Sequence, residues 1–257
     1  MIILTSVSLN GFSQDSVAVT KSEFDDWKFR LGPYFWFINI KGSLERPPVP
    51  STLPEPQLTF DVDLSFREIN NLLKFAFLLN GVYQGNKWVA SLNTTSFILE
   101  GDALTPKNVL LQDVNYRLST VMSEALAGYR VLKKPKFNIN VLAGAKLIYF
   151  NIQGESKIGG FIPISGNRDI LWIEPIIAAN FVYKPFKRWE IMTYVDYGPI
   201  RDQKELTAQG LISINYLVNK WLYISPGYRY WYFRTEQTEN IFNGQFYGAY
   251  IKLGFQF

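Results

Sequence analysis

Large apolar residues alternate with polar or small ones in ten separate segments of this chain, and the connections between those segments alternate in length. The segments cover roughly 27–40, 72–84, 87–99, 114–131, 136–152, 170–183, 188–198, 206–218, 221–233 and 245–257. A period of two marks a strand with one apolar face. Tight turns follow the even-numbered segments: "QGNKW" at 84–88, "KKPK" at 133–136, "KPFKR" at 184–188 and "NK" at 219–220. Longer loops, at 41–71, 100–113, 153–169, 199–205 and 234–244, follow the odd ones. Short turns at one end and long loops at the other are the pattern of an up-and-down transmembrane barrel, with the turns on the periplasmic side. Most segments reach the about 9–11 residues a tilted strand needs to cross a bilayer. The expected fold is therefore all-β, an antiparallel up-and-down transmembrane β-barrel of about ten strands. Eight or twelve strands are the alternatives, because "QLTFDVDLSF" at 57–66 alternates enough to be a strand of its own.

Alternation by itself does not say whether the apolar face meets lipid or a protein core, since a soluble lipocalin-like barrel turns the same pattern inward. Tryptophan placement and charge favour lipid. Trp88, Trp189 and Trp221 follow the short turns and Trp27 opens the first segment at the same level, as an interfacial aromatic girdle would. The short turns carry Lys87, Lys133, Lys134, Lys136, Lys184, Lys187, Arg188 and Lys220 and no acid, whereas the long loops hold 14 acids against nine bases. The chain ends in "YIKLGFQF", a strand whose last residue is an exposed aromatic, although termini are ordinarily polar.

The first 13 residues read as the tail of a signal peptide and residues 14–257 as one barrel domain. Met1 to Leu9 is apolar, small and polar residues follow, and cleavage is expected near Ser13 or Gln14, although the positive n-region is missing.

Two absences narrow the chemistry. The chain has no cysteine, so disulfides and thiolate metal sites are excluded. It has no histidine, which removes the commonest general base, metal ligand and nucleophile activator. No cofactor or metal is expected. The modest charge, 26 bases against 22 acids without a long basic run, gives no footprint for nucleic acid.

A charge on the lipid face at mid-depth costs about 2–4 kcal/mol for Arg or Lys, so ionisable residues within the strands should point inward. Parity places Lys74, Glu124, Lys146, Glu174, Glu190, Asp196, Arg229 and Lys252 inside, with Gln209 and Asn215. Four bases against four acids predicts mutual neutralisation. Tyr194, Tyr223 and Trp231 add bulk, and a β-bulge is expected near Val121 to Glu124, where parity slips. A barrel of eight strands is just filled by side chains, so ten strands lie near the filled end. The interior thus reads as a plug of salt bridges in preference to a porin-like pore. Glu174 and Asp196 are the pair that could in principle perform acid–base work. Loop 41–71 contains the proline-rich "ERPPVPSTLPEP", and the "FREINNLL" that follows is expected to form one or two helical turns able to fold into the barrel mouth.

Several stretches resemble a family of Gram-negative outer-membrane β-barrel proteins without an established biochemical activity. They are "WKFRLGPYFWFINIKGSL" at 27–44, with Pro33, Tyr34 and Trp36, "DVDLSFREINNLLKFAF" at 61–77, "ALAGYRV" at 125–131, "LWIEPIIA" at 171–178, "RWEIMTYVDYG" at 188–198 and "WLYISPGYRYW" at 221–231. The sequence departs from the family at 198–202, where "GPIRD" replaces a glycine-rich "GGFG". The resemblance implies an outer-membrane location among lipid and lipopolysaccharide, and it supplies no catalytic residues. Phe255 and Phe257 resemble the terminal signal by which such barrels are handed to their assembly machinery. The function expected is a structural barrel or narrow passive conduit without catalysis. The alternatives are a small porin-like channel, a surface binding module acting through its loops, and a hydrolase that works without histidine.

Overall fold

The computed structural model describes residues 28–45, 59–101, 111–158, 162–198, 205–237 and 240–257. The N-terminal segment expected to be a signal peptide, Trp27 and most of the proline-rich loop lie outside them. In chain order the elements are β1 (Phe29–Trp36), β2 (Asn39–Glu45), β3 (Thr59–Leu64), α1 (Phe66–Leu72), β4 (Leu73–Gln84), β5 (Trp88–Gly101), β6 (Leu111–Lys133), β7 (Phe137–Ile158), β8 (Ile162–Phe186), β9 (Trp189–Gly198), β10 (Glu205–Leu217), β11 (Leu222–Gln237) and β12 (Asn240–Gln256). Each strand from β4 to β12 pairs antiparallel with the next, and β1 pairs with both β4 and β12, which closes the sheet. With β1 and β2 counted as two halves of one strand, the fold is a ten-stranded antiparallel transmembrane β-barrel.

Closure removes both sheet edges. The seam is made by the chain ends: Lys28 N–H donates to the Phe257 carbonyl at 2.6 Å, and Phe257 N–H to the Phe29 carbonyl at 2.9 Å. The expected first strand, 27–40, breaks at Phe37 and resumes as β2, still paired with β12. The kink needs a glycine opposite it, because a Cβ on Gly248 would lie 1.9 Å from the Phe37 carbonyl oxygen. Pairing of the first strand with β4 ends at Pro33, which has no N–H to give, while its pairing with β12 continues through Trp36. There β3 adds to β2 outside the ring, so the alternation seen at 57–66 is a strand but not a barrel strand.

Three sequence expectations are corrected. Strands β6, β7 and β8 are 23, 22 and 25 residues long, so much of the expected loop 153–169 is strand, as is most of 234–244. These extensions are polar and glycine-bearing, as in "NIQGESKI", and for that reason read as loop. No bulge occurs between Val121 and Glu124, where pairing is continuous on both sides; the register shifts on β6 fall at Gln112/Asn115 and Arg130/Leu132. Parity slips in the sequence at 121–124 because the inward row itself mixes polar and apolar residues: Thr120, Met122, Glu124 and Leu126 are all buried. Lys74, finally, falls in an irregularity where the register passes from Leu73/Leu99 to Phe75/Ile98. The extra residue removes Lys74 from the inward row and leaves it exposed.

The outer face is an apolar band, with Leu171 and Ile173 58% and 62% exposed. At the short-turn end, aromatic pairs follow one another around the ring. Trp88 meets Tyr129, Phe137 stacks on Tyr183, Trp189 packs on Tyr216 and Trp221 stacks on Phe255, with ring centroids 4.7–6.0 Å apart. Trp88, Trp189 and Trp221 are thus exposed on the outer face beside the basic turns, at the short-turn end of the barrel.

Candidate functional site

The lumen is the part of the molecule where chemistry concentrates, and cross-strand register arranges it in layers. One row runs Asn80, Asn93, Glu124, Lys146, Glu174 across five adjacent strands, β4 to β8. A second runs Asp196, Gln209, Trp231, Phe246 from β9 to β12 and climbs towards the loop end. Barrel strands are staggered, so a row that starts among charges ends among aromatics.

At mid-height Lys146 is the hub. Its Nζ lies 2.7 Å from Asp196 Oδ1 and 3.9 Å from Glu124 Oε2. Gln209 Nε2 donates to the other Asp196 oxygen at 3.0 Å and in turn accepts from Arg229 through Nε, at 2.9 Å, and Nη2. Arg229 also donates to the Tyr34 hydroxyl at 3.0 Å and stands over the Trp36 ring at 4.9 Å. Nearer the short turns, Arg30 grips Glu190 with a nitrogen–oxygen distance of 2.7 Å, and Asn215 donates to the same carboxylate at 2.7 Å. Bidentate or multiply bonded pairs of this kind are the form in which buried charge is tolerated.

Of the eight residues that parity assigned to the lumen, Glu124, Lys146, Glu174, Glu190, Asp196, Arg229 and Lys252 are buried within it, and Lys74 is not. Sequence reasoning missed three further buried bases, Arg30, Arg130 and Lys184. Arg30 shares the parity of Tyr34 and Trp36 and could have been found by counting back from them. The consequence is electrostatic: among the described residues the buried set holds six bases against four acids, so the expected four-to-four balance gives way to an excess of positive charge.

Above this layer the lumen is filled by aromatics. Phe233 stacks on Phe246 at 5.3 Å and lies 5.9 Å from Phe150 and 6.1 Å from Trp172, while Trp231 packs on Phe246 at 5.8 Å. Trp231 is tied down by a 2.7 Å bond from its Nε1–H to Thr207 Oγ1 and carries Lys146 beneath its ring at 5.0 Å. Helix α1 closes over the cluster with Ile69 and Leu72 buried against it. A capping box fixes its start: Ser65 Oγ accepts from Glu68 N–H, and Glu68 Oε2 accepts from Ser65 N–H at 2.8 Å. Asn39 Oδ1 accepts from Phe66 N–H at 2.9 Å, which joins the helix to β2.

Below the charged layer lies a cavity of about 120 Å³. It runs from Asn80, Glu124 and Gln209 down to Gln84, Val89 and Asn138 beside the short turns. No group of three or more acids able to hold a metal ion occurs among the described residues.

No protein-family model matches the chain, and no curated protein shows significant similarity to it. Solved structures do. The outer-membrane protease OmpT of Escherichia coli superposes with a TM-score of 0.56 at 9% identity, covering 90% of this chain and 97% of OmpT. The attachment invasion locus protein Ail of Yersinia pestis and the toluene transporter TodX of P. putida each give 0.36 at 11% identity, covering 90% and 91% of this chain and 99% and 91% of theirs. At such identities the likeness is one of fold, carried by OmpT; the chain has the architecture of outer-membrane β-barrels.

Proposed function

We propose that this protein is a non-conducting barrel of the outer membrane, structural in role and without catalytic activity. The observation that carries this reading is the stacked cluster of Phe150, Trp172, Trp231, Phe233 and Phe246, which occupies the lumen above the charged layer under α1. A porin-like channel needs a continuous aqueous path, and a wall-to-wall aromatic layer gives ions none. The non-catalytic reading rests on the carboxylates. Asp196 is held by Lys146 and Gln209, and Glu190 by Arg30 and Asn215, so both carboxylates are engaged in ion pairs and hydrogen bonds within the lumen network. The apolar band and girdle suit contact with lipid and lipopolysaccharide, and the terminal Phe255 and Phe257 suit recognition by the barrel-assembly machinery.

The test is single-channel recording from purified protein in planar bilayers. The folded protein is expected to leave the bilayer electrically silent across the usual voltage range. Reproducible steps of discrete size would sink the closed-lumen reading.

A further inference from the structure

The outer surface of the barrel is not uniformly bulky. On β8 to β11 it carries Ile177, Val195, Ile212 and Tyr228, all exposed. On β5 to β7 it carries Ala90, Ala125, Ala127 and Ala143, which line an apolar groove of about 770 Å³ walled by Leu92, Tyr83, Leu31 and Phe29. Register sets the length and slope of the groove. Phe29, Tyr83, Ala90, Ala127 and Ala143 pair in one row across five adjacent strands, which at about 4.8 Å between strands makes it about 19 Å long. Tyr83 and Ala90 adjoin the β4–β5 turn, whereas Ala127 and Ala143 stand well up β6 and β7, so the groove leaves the short-turn end and rises obliquely. Its lower end is aromatic and basic. Trp88 meets Tyr129 edge to face there, with ring centroids 5.7 Å apart. Lys87 precedes Trp88, and its carbonyl accepts from Arg130 N–H at 2.8 Å. Lys133 Nζ donates to Asn86 Oδ1 at 3.3 Å, which brings the β4–β5 and β6–β7 turns together. Lys87, Lys133, Lys134 and Lys136 are all exposed, and neither turn carries an acid.

A groove that is apolar along its length and cationic at one end has the complementary polarity of an anionic phospholipid. Indole rings favour the headgroup level of a bilayer, and lysines at that level attract anionic lipid. We infer that the groove seats one anionic phospholipid of the leaflet that meets the short turns, with an acyl chain along Ala90, Ala127 and Ala143 and the phosphate between Lys87 and Lys133. The dimensions agree. Half of a hydrocarbon core about 30 Å thick is about 15 Å deep, so a chain of one leaflet, laid obliquely, matches a groove of about 19 Å. A second copy of the barrel is a poorer occupant. Two barrels meeting through this face about a two-fold axis normal to the membrane would set each copy's lysines beside the other's. The inference rests on the barrel being embedded in lipid and does not require a closed lumen.

The test is native mass spectrometry of the full chain, folded in detergent with equimolar phosphatidylglycerol and phosphatidylethanolamine of identical acyl chains. One phosphatidylglycerol per barrel is expected to persist, at least about tenfold in preference to phosphatidylethanolamine, since each lysine beside an anionic headgroup favours it about fivefold. Replacing both lysines, Lys87→Gln with Lys133→Gln, should abolish that preference. Ala127→Phe, which fills the floor of the groove from an exposed position, should cost the barrel its retained lipid. Both variants lie on the outside of the barrel and are measured in the form that shows the heat-dependent gel shift of a folded chain. Equal retention of the two lipids by the wild type, an unchanged preference in the lysine variant, or wild-type retention by Ala127→Phe would each overturn the proposal. So would a dimer that Ala127→Phe dissociates. A barrel that conducts yet keeps phosphatidylglycerol would defeat the closed lumen and spare the groove; a silent barrel without the preference would do the reverse.

Discussion

Replacing Lys146 by methionine is expected to destabilise the barrel by about 3–5 kcal/mol, enough to deplete the folded species in a membrane extract. The size follows from what remains. Asp196 lies 2.7 Å and Glu124 3.9 Å from the Lys146 ammonium, and all three side chains are at most 8% exposed. Methionine fills the space but leaves two buried carboxylates facing each other without their shared cation, and breaking a buried pair costs far more than the pair contributes when intact. The double variant Lys146→Met, Asp196→Asn should recover much of the loss, because the amide removes one of the orphaned charges while keeping a group for Gln209. The check is the urea midpoint of each variant refolded into lipid vesicles, read by the heat-dependent gel shift. A Lys146→Met midpoint within experimental error of wild type would show that the network is solvated and the lumen open.

Truncating the aromatic layer should act on stability and permeability together. Phe233→Ala and Phe246→Ala each remove a buried ring, a change that costs about 3–5 kcal/mol in well-packed cores. The two rings stack at 5.3 Å and would leave one shared void, so the double variant should cost less than the sum of the single ones. That void joins the loop end to the charged layer beside Trp231. The double variant is expected to give bilayer conductance steps where the wild type gives none. Continued silence from a folded double variant would place the barrier elsewhere in the lumen.

How far the sequence foretold this molecule depends on what alternates. The barrel strands were legible because the lipid face is apolar throughout its depth, as the outward Leu171, Ile173 and Ile177 on β8 illustrate. The inward face was legible only where it is charged: Glu174 announces itself, whereas Trp172, one step up the same face, looks like another lipid contact. The aromatic layer was therefore invisible to parity. Tyr194, Tyr223 and Trp231 were assigned inward as bulk filler, but nothing local said that Trp231 would join Phe150, Phe233 and Phe246 across the lumen. That juxtaposition depends on stagger, which is a property of the closed ring and not of any one segment. Lys74 failed for a related reason, since one extra residue in β4 inverts parity for everything on its far side. The polar extensions of β7 and β8 failed because outside the bilayer a strand has no reason to alternate.

The central claim, an apolar surface in lipid around a filled interior, can be tested at consecutive positions of one strand. The chain has no cysteine, so Ile170, Leu171, Trp172 and Ile173 can be replaced by cysteine one at a time and spin-labelled without background. In vesicles, collision with dissolved oxygen, which concentrates in the bilayer, should be high at 171 and 173, the exposed pair, and low at 170 and 172, which are 8% and 7% exposed. A water-soluble nickel chelate should reach none of the four. High chelate accessibility at 170 and 172 would reveal a water-filled pore, and oxygen accessibility that peaked at 170 and 172 would mean that the wrong face meets the lipid.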